Sequence, residues 1–505
     1  MGSNSQNESI SRGVKEARCP QRDVKEMLKD TECHFTWKPD EHGHVPPESS
    51  YISKIEEKQV IHEQDNEPIL MATHGLLLAY EYSRQGDLSK AHDTLQGIQS
   101  DIANMDDSTP EEIEALQYLI NCSLAHVYFL MEDPDTANEI LLETVKYSDS
   151  SEKVKAQILS AKADAFSVYS AESFSYALDL YREGVILDPE NYTHHLGVGK
   201  MLRRIRRIES LDNVPTNEEV MALRKAVEIK RCQSSLVFLA ESLREYAKAI
   251  YRKDRNLAAK LNEEALALYT EVSRDPSINA NSLVRCGDGF SRLPAYMKDL
   301  DKAEECYLKA LDLCPSNTTG NHKLGVFYLK QNRELAEKYL LASINPSHGN
   351  KNFSAHATYV SLKLEDDPTF DVGTEWQHMV ERYPEILDQL RLHILQMQYF
   401  SQFDPEIGLH HAENTLDTLL QLKKAVQTFG CSHHLSRNGQ RLKVRYPPKK
   451  FAHEHLLDGL QYLQQRLPHK CDMINSMTER LTVWMDTYAL GSEGISKAPS
   501  ASTST

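Results

Sequence analysis

Apolar side chains recur every three to four residues along most of this chain, from about residue 21 to residue 488. This spacing places them on one face of an α-helix. The two-residue alternation that is typical of half-buried strands is nearly absent. The pattern therefore predicts an all-α protein.

Small and large side chains also repeat along these helices in a fixed register. Tetratricopeptide repeats, which are helix pairs of about 34 residues, have small residues where the two helices approach and large residues around them. Five segments fit, at Leu78, Ala79, Tyr82, Ala91 and Leu95; Leu124, Ala125, Tyr128, Ala137 and Leu141; Ala165, Ala177, Tyr181 and Pro189; Ala303, Tyr307, Ala310 and Pro315; and Leu324, Gly325 and Tyr328. Five matches in order favour a tetratricopeptide-repeat superhelix, an α-solenoid, over a generic helical bundle.

The repeat signal divides the chain into four segments. We predict a disordered N-terminus over 1–20, a repeat superhelix over 21–345, divergent helical repeats over 346–488 and a disordered tail over 489–505. A single helix pair cannot bury its own apolar face, so the pairs must stack. The stack curves around a concave inner channel, where a ligand would bind.

Positive charge is concentrated in one helix of an acidic chain. The formal net charge is −17, which argues against a protein that coats duplex nucleic acid. Local charge still counts, because salt screens distant charges. The stretch GVGKMLRRIRRI, residues 197–208, follows Pro189 and should be the first helix of a pair, on the concave side. Its cations at one-face spacing are Lys200, Arg203, Arg204 and Arg207. They predict either an anion pocket in a partly basic channel or a solvated face paired with neighbouring carboxylates.

Other combinations of residues fit known chemistry less well. The basic run 441–450 contains a Pro-Pro break and is typical of an exposed linker, with a weak anchor for single-stranded nucleic acid as the alternative. The cysteines and histidines between residues 431 and 471 match no standard zinc spacing. GVGK lacks the features of a phosphate loop, and no hydrolase, protease or kinase signature occurs. We therefore expect no catalysis, no metal and no cofactor.

Cysteine usage and hydropathy indicate the compartment. The nine cysteines form no CxxC pair, as is typical of free thiols in the reducing cytosol. The N-terminal residues contain no apolar run that resembles a signal peptide. No apolar run reaches the about 18 residues of a membrane span. We expect a cytoplasmic protein without a membrane partner.

The stretch CHFTW, residues 33–37, begins the helical region, and repeats of irregular spacing follow it. In this combination the chain resembles a divergent member of the IFIT family, the interferon-induced proteins with tetratricopeptide repeats. The stretches ALDLYREGVILDPEN, LGVGKMLRRI and ALRKAVEI are similar to family segments in the same order. The resemblance is clearest over 31–345, faint over 346–488 and absent in both tails.

This resemblance implies a non-catalytic antiviral protein that captures the 5′ end of single-stranded RNA in a positively charged tunnel. The family recognises a 5′-triphosphate or an incompletely methylated cap. By position, Arg204 would meet the 5′ phosphates and Arg285, in SLVRC, would be a second contact. The remaining RNA-binding candidates are Lys200, Arg203, Arg207, His322, Lys323, Ser50 and Lys54. Related repeat proteins or a second copy of this chain are further candidate partners.

Three positions depart from the family pattern. Val168 stands where the family has a phosphate-binding lysine, and Ser282 and Cys286 stand where it has tyrosines. Each aromatic ring that stacks on a base contributes roughly 1–3 kcal/mol to RNA binding. The alternative function therefore stays open: a scaffold whose basic groove holds a protein partner or an acidic peptide tail.

The residues of CHFTW have packing roles under this interpretation. We expect Phe35 and Trp37 to pack the first helix into the repeat core. Cys33 should be a buried thiol, and His34 a core histidine whose ring nitrogens are hydrogen-bonded.

Overall fold

Helix pairs, stacked in chain order, make up almost all of the described chain. The computed structural model describes residues 24–42, 51–64, 67–102, 105, 108–169, 173–209, 214–345, 352–367, 369–422, 436–437, 440–441 and 451–489. The predicted disordered N-terminus, 1–20, lies outside these residues, and so does the predicted disordered tail, 489–505, apart from Ala489. No helix among the described residues is long and apolar enough to cross a membrane.

Four helices precede the regular pairs, and the pairs then follow one another in chain order. The first four are α1 (Val24–Lys29), α2 (His34–Trp37), α3 (Pro39–His42) and α4 (Ile52–Gln64). The pairs are α5 (Pro68–Arg84) with α6 (Leu88–Asp101), α7 (Pro110–Leu130) with α8 (Pro134–Glu143), α9 (Glu152–Tyr169) with α10 (Phe174–Leu187), α11 (Tyr192–Glu209) with α12 (Asn217–Ile229), α13 (Gln233–Ile250) with α14 (Arg255–Ser273), α15 (Ala280–Arg292) with α16 (Leu300–Leu313), α17 (Thr318–Tyr328) with α18 (Arg333–Ser343), α19 (Phe353–Asp366) with α20 (Val372–Arg382), α21 (Ile386–Phe403) with α22 (Pro405–Gln421), and α23 (Ala452–Arg466) with α24 (Cys471–Trp484). This arrangement confirms the predicted all-α repeat superhelix.

Short elements join or end some of these helices. Two 3₁₀ turns span Tyr147–Asp149 and Pro468–Lys470, and a π-helical turn follows α24 over Met485–Ala489. Strands β1 (Ser436–Arg437) and β2 (Gln440–Arg441) pair antiparallel between α22 and α23.

Local sequence signals explain why the helices begin and end where they do. Between α5 and α6, Gly86 adopts a φ of 85°, a conformation that a Cβ atom disfavours. Asp87 then caps α6 by accepting a hydrogen bond from the Lys90 backbone N–H. Asp133 caps α8 in the same way, with Pro134 in the first turn. Tight loops of this kind hold the two helices of a pair side by side.

Small side chains lie where the paired helices approach. Ala79 on α5 and Ala91 on α6 have no exposed surface, and neither does Ala137 on α8. At Gly325 on α17, a Cβ atom would lie 2.9 Å from Leu340 Cγ on α18. The predicted small-residue register therefore marks real inter-helix contacts.

Three apolar clusters follow one another along the stack and share helices where they meet. Helix α11 supplies Val198 to the first cluster and Leu196 to the second. Helix α19 supplies Leu362 to the second and Phe353 to the third. The core is therefore continuous, and α11 lies where the first two clusters meet.

The CHFTW segment packs as expected, with one correction. Cys33 and Trp37 are buried in the first cluster, and Phe35 stacks on His126 at 5.0 Å. His34 is fully buried, but neither of its ring nitrogens has a hydrogen-bond partner among the described residues. The expectation of a hydrogen-bonded histidine was wrong, because the ring is enclosed by apolar and aromatic groups such as Trp37.

We expect His34 to make the fold sensitive to acid. Burial, and then the charge of His74, lower the pKa of His34 from 6.5 to about 3. The unfolded chain therefore takes up a proton first as pH falls, and stability is lost below about pH 6.5. Between pH 7 and pH 5 the loss from this one residue should be about 2 kcal/mol.

Urea denaturation of the parent and of His34→Leu at both pH values checks this expectation. The comparison at pH 7 measures the packing effect of the substitution alone. The variant should lose less stability than the parent on going to pH 5. An equal loss in both proteins would show that His34 titrates normally in the folded state.

Candidate nucleic-acid interface

The basic run lies on α11, which packs closely against both of its neighbours, α10 and α12. A Cβ atom at Gly197 would lie 2.3 Å from a ring carbon of Tyr181 on α10. A Cβ atom at Gly199 would lie 2.5 Å from Leu223 on α12. The two glycines of GVGK therefore allow close helix packing. This contact fixes the direction in which the cations that follow them point.

Alternate helices line a basic cavity of about 270 Å³. The lining residues are Lys200, Arg203, Arg204 and Arg207 from α11, Phe238, Glu241, Arg244 and Glu245 from α13, and Arg285, Asp288 and Arg292 from α15. These are first helices of three successive pairs, as the sequence predicted for the channel wall. Seven cationic side chains face three carboxylates, so the cavity carries a net positive charge.

Part of that positive charge is neutralised inside the protein. Arg203 donates to Glu245 at 2.7 Å and lies 2.8 Å from Glu241. Burial alone would lower the pKa of Arg203, but the two carboxylates outweigh it and raise that pKa. Burial would likewise raise the pKa of Glu245, and Arg203 outweighs it, giving a pKa of about 2. Both carboxylates therefore stay ionised and hold Arg203 in place.

The other three cations of α11 that line the cavity differ from Arg203. Among the described residues, no carboxylate lies within ion-pair distance, 4.0 Å, of Lys200, Arg204 or Arg207. Burial is the main cause that lowers the pKa of each of these three groups. Their charges are thus poorly solvated and have no ion-pair partner among the described residues, a position that an anionic ligand would fill.

Arg285 reaches the same cavity from α15. Its Nη1 donates to both oxygens of Glu241, at 2.9 and 3.0 Å. Its guanidinium lies 4.3 Å from the ring centre of Phe238, and Lys200 Nζ lies 5.4 Å from the same ring. Phe238 is therefore an aromatic ring that contacts two cations of the cavity.

Two further candidates lie on α17, one helix beyond the cavity wall. Lys323 donates to Asp288 at 2.8 Å, and Asp288 is itself a wall residue. Burial lowers the pKa of His322 to about 4, so this ring is neutral at physiological pH. Neither side chain lines the cavity. Ser50 lies outside the described residues, as does the side chain of Lys54.

The three departures from the family pattern are small, buried side chains. Val168 packs in an apolar cluster at the end of α9. Ser282 is buried on α15, and Cys286 belongs to the second core cluster. None of them lines the cavity, so its charge comes from α11, α13 and α15.

Sequence reasoning missed the contribution of α13. Phe238, Glu241 and Glu245 follow the same one-face spacing that identified the cations of α11. Arg285 and Arg292 are separated by two turns and also share a face. Applying that spacing rule to every first helix would have revealed the carboxylates.

Across the described part of the chain, no cluster of histidine, cysteine or acidic residues could hold a metal ion.

Comparisons with known proteins identify the fold. No protein-family model and no curated protein matches the sequence. A structure of the human IFIT1 dimer with PPP-AAAA matches with a TM-score of 0.56 at 15% identity, over 94% of this chain and 100% of that chain. A structure of the human IFIT1 dimer with m7Gppp-AAAA matches with a TM-score of 0.57 at 16% identity, over 94% and 100% of the two chains. This chain therefore has an IFIT-like tetratricopeptide-repeat fold.

Proposed function

We propose that this protein binds the 5′-phosphorylated end of single-stranded RNA in the basic cavity, without catalysing a reaction. One observation carries the proposal: Lys200, Arg204 and Arg207 face one cavity, partly buried and without a carboxylate partner within 4.0 Å among the described residues. Arginine suits phosphate, since its planar group donates two hydrogen bonds at once.

The size of the cavity favours an RNA end over an RNA backbone. Its volume of about 270 Å³ is slightly below the roughly 300–1,000 Å³ of ordinary ligand pockets. A compact group with several charges fits such a space, and a duplex does not. Phe238 supplies one aromatic surface beside the cations, on which a base could stack.

The comparisons support the same ligand class. The two similarly folded human IFIT1 structures contain a triphosphate RNA, PPP-AAAA, and a capped RNA, m7Gppp-AAAA. The sequence resemblance to the same family gives the wider proposal, which is capture of foreign RNA in the cytosol as part of antiviral defence. Interferon control of expression belongs to this wider proposal.

A direct binding experiment tests the proposal. One short single-stranded RNA carries a 5′-triphosphate, a cap, a monophosphate or a 5′-hydroxyl, and its affinity for the full chain is measured at physiological salt. We expect a phosphorylated end to bind well above the 5′-hydroxyl. Its affinity should fall with salt, with a logarithmic slope of about −0.7 per phosphate neutralised.

The 5′-hydroxyl RNA is the matched control, since it differs from the others only at the end. Equal, weak binding of all four RNAs would contradict the proposal. An acidic peptide that binds the parent and is displaced by salt, with no RNA binding, would establish the scaffold function instead.

A further inference from the structure

Glu241 is a buried carboxylate in the middle of a cavity that otherwise favours anions. It lies on α13, between α11 and α15, and only 7% of its surface is exposed. Its Oε2 is 2.8 Å from Arg203 Nη1 and 2.9 Å from Arg285 Nη1. Burial would raise the pKa of Glu241, but Arg203 and then Arg285 lower it. The group is therefore an ionised, internal anion held by two cavity arginines.

The two arginines that hold Glu241 are not equally free to leave it. The side chain of Arg203 is only 10% exposed and has Glu245 as a second partner at 2.7 Å. The side chain of Arg285 is 37% exposed, and Glu241 is the carboxylate that it contacts. Arg285 can therefore turn toward a ligand, whereas Arg203 is fixed to the wall.

Resting on the proposed function, we propose that Glu241 competes with the phosphates of the ligand for Arg285 and so sets the affinity of the site. In the ligand-free protein, Glu241 neutralises Arg285 in the position that a phosphate oxygen would take. Binding then requires Arg285 to exchange one anionic partner for another. Lys200, Arg204 and Arg207 need no such exchange, so they make the first contacts.

The Glu241→Gln variant tests this competition. Glutamine keeps the shape of the side chain and removes its charge, so Arg285 becomes available to the ligand. We expect triphosphate RNA to bind about tenfold more tightly, the effect of one charge-assisted hydrogen bond gained. Affinity for the 5′-hydroxyl RNA should not change.

A double-mutant cycle shows whether the gain passes through Arg285. The gain of Glu241→Gln should disappear when Arg285→Ala is also present. A gain that persists in that background would overturn the proposal, because it would come from the change in net charge alone. Weaker binding by Glu241→Gln would also overturn it, since Glu241 would then hold Arg285 ready for the ligand.

Controls separate this proposal from the proposed function and from misfolding. Glu264→Gln removes a carboxylate that pairs with Arg224 at 2.6 Å, outside the cavity, and should leave affinity unchanged. If Glu241→Gln folds poorly, Glu241→Asp takes its place. Aspartate keeps the charge but shortens its reach toward Arg285, so the gain in affinity should be smaller.

Inorganic triphosphate serves as a second probe. If the parent binds inorganic triphosphate but not RNA, the proposed function fails while the cycle still tests the competition. If neither the parent nor Glu241→Gln binds either probe, both proposals fail.

Discussion

Replacing Arg206 by alanine should lower the free energy of unfolding by about 3–5 kcal/mol. Arg206 is 95% buried and donates to both oxygens of Glu219, at 2.9 Å each, and to Glu245 at 2.6 Å. Glu219 has no exposed surface, and Ser242 is a further donor to it. Without Arg206, a buried carboxylate loses its counter-charge and keeps the cost of its desolvation. The large effect comes from leaving the buried carboxylate of Glu219 without its ion-pair partner.

Urea denaturation followed by circular dichroism measures the loss. Arg182→Ala is the matched control, because Arg182 makes a similar two-pronged contact with Glu218 but both side chains are more than 40% exposed. Exposed pairs contribute about 0–1 kcal/mol. Combining Arg206→Met with Glu219→Leu should recover most of the stability, since an apolar pair replaces the buried ion pair. A loss for Arg206→Ala no larger than the control would show that water reaches Glu219.

The fold of the N-terminal half could be predicted because its helix contacts need small side chains. Only alanine or glycine allows the approach seen at Ala79, Ala91 and Gly325, so the repeat spacing appears directly in the sequence. The signal decays in the C-terminal half for a physical reason. The third cluster is filled there by large residues such as Trp376, which contacts Tyr399 at 5.0 Å. Large side chains can fill a core in many combinations, so they leave no fixed register.

The site could be predicted only in part, because a helix face does not reveal its partners. Arg203 and Arg204 are adjacent in sequence and both line the cavity. Arg203 meets two carboxylates of α13, whereas Arg204 meets the ring of Phe174 at 5.5 Å. The predicted pairing with neighbouring carboxylates therefore holds for Arg203, although its side chain is buried rather than solvated, whereas the proposed anion pocket depends on Arg204. The difference depends on which side chains α13 presents, and that information lies about 40 residues away in sequence.

Replacing Arg204 by alanine should weaken binding of triphosphate RNA by about 2–5 kcal/mol, which is the range for removing one partner of a buried charge pair. Arg204 is partly buried and faces a cavity where water screens charge poorly. Its interaction with a 5′ phosphate should therefore be strong. The free energy of unfolding should change little, because no carboxylate in the described structure forms an ion pair with this side chain. We therefore expect Arg204→Ala to weaken RNA binding with little change in stability, and Arg206→Ala to lower stability.

Direct binding and urea denaturation of the same Arg204→Ala sample check both halves of this expectation. Arg224→Ala is the control for loss of an arginine outside the cavity, and it should bind like the parent. The 5′-hydroxyl RNA should bind the parent and Arg204→Ala alike, because the missing contact is with the phosphates. Arg204→Lys should recover only part of the affinity, since an ammonium group cannot donate in the planar, two-pronged geometry of a guanidinium. If Arg204→Ala binds triphosphate RNA as tightly as the parent, the 5′ phosphates do not enter this cavity, and the resemblance has placed the site wrongly.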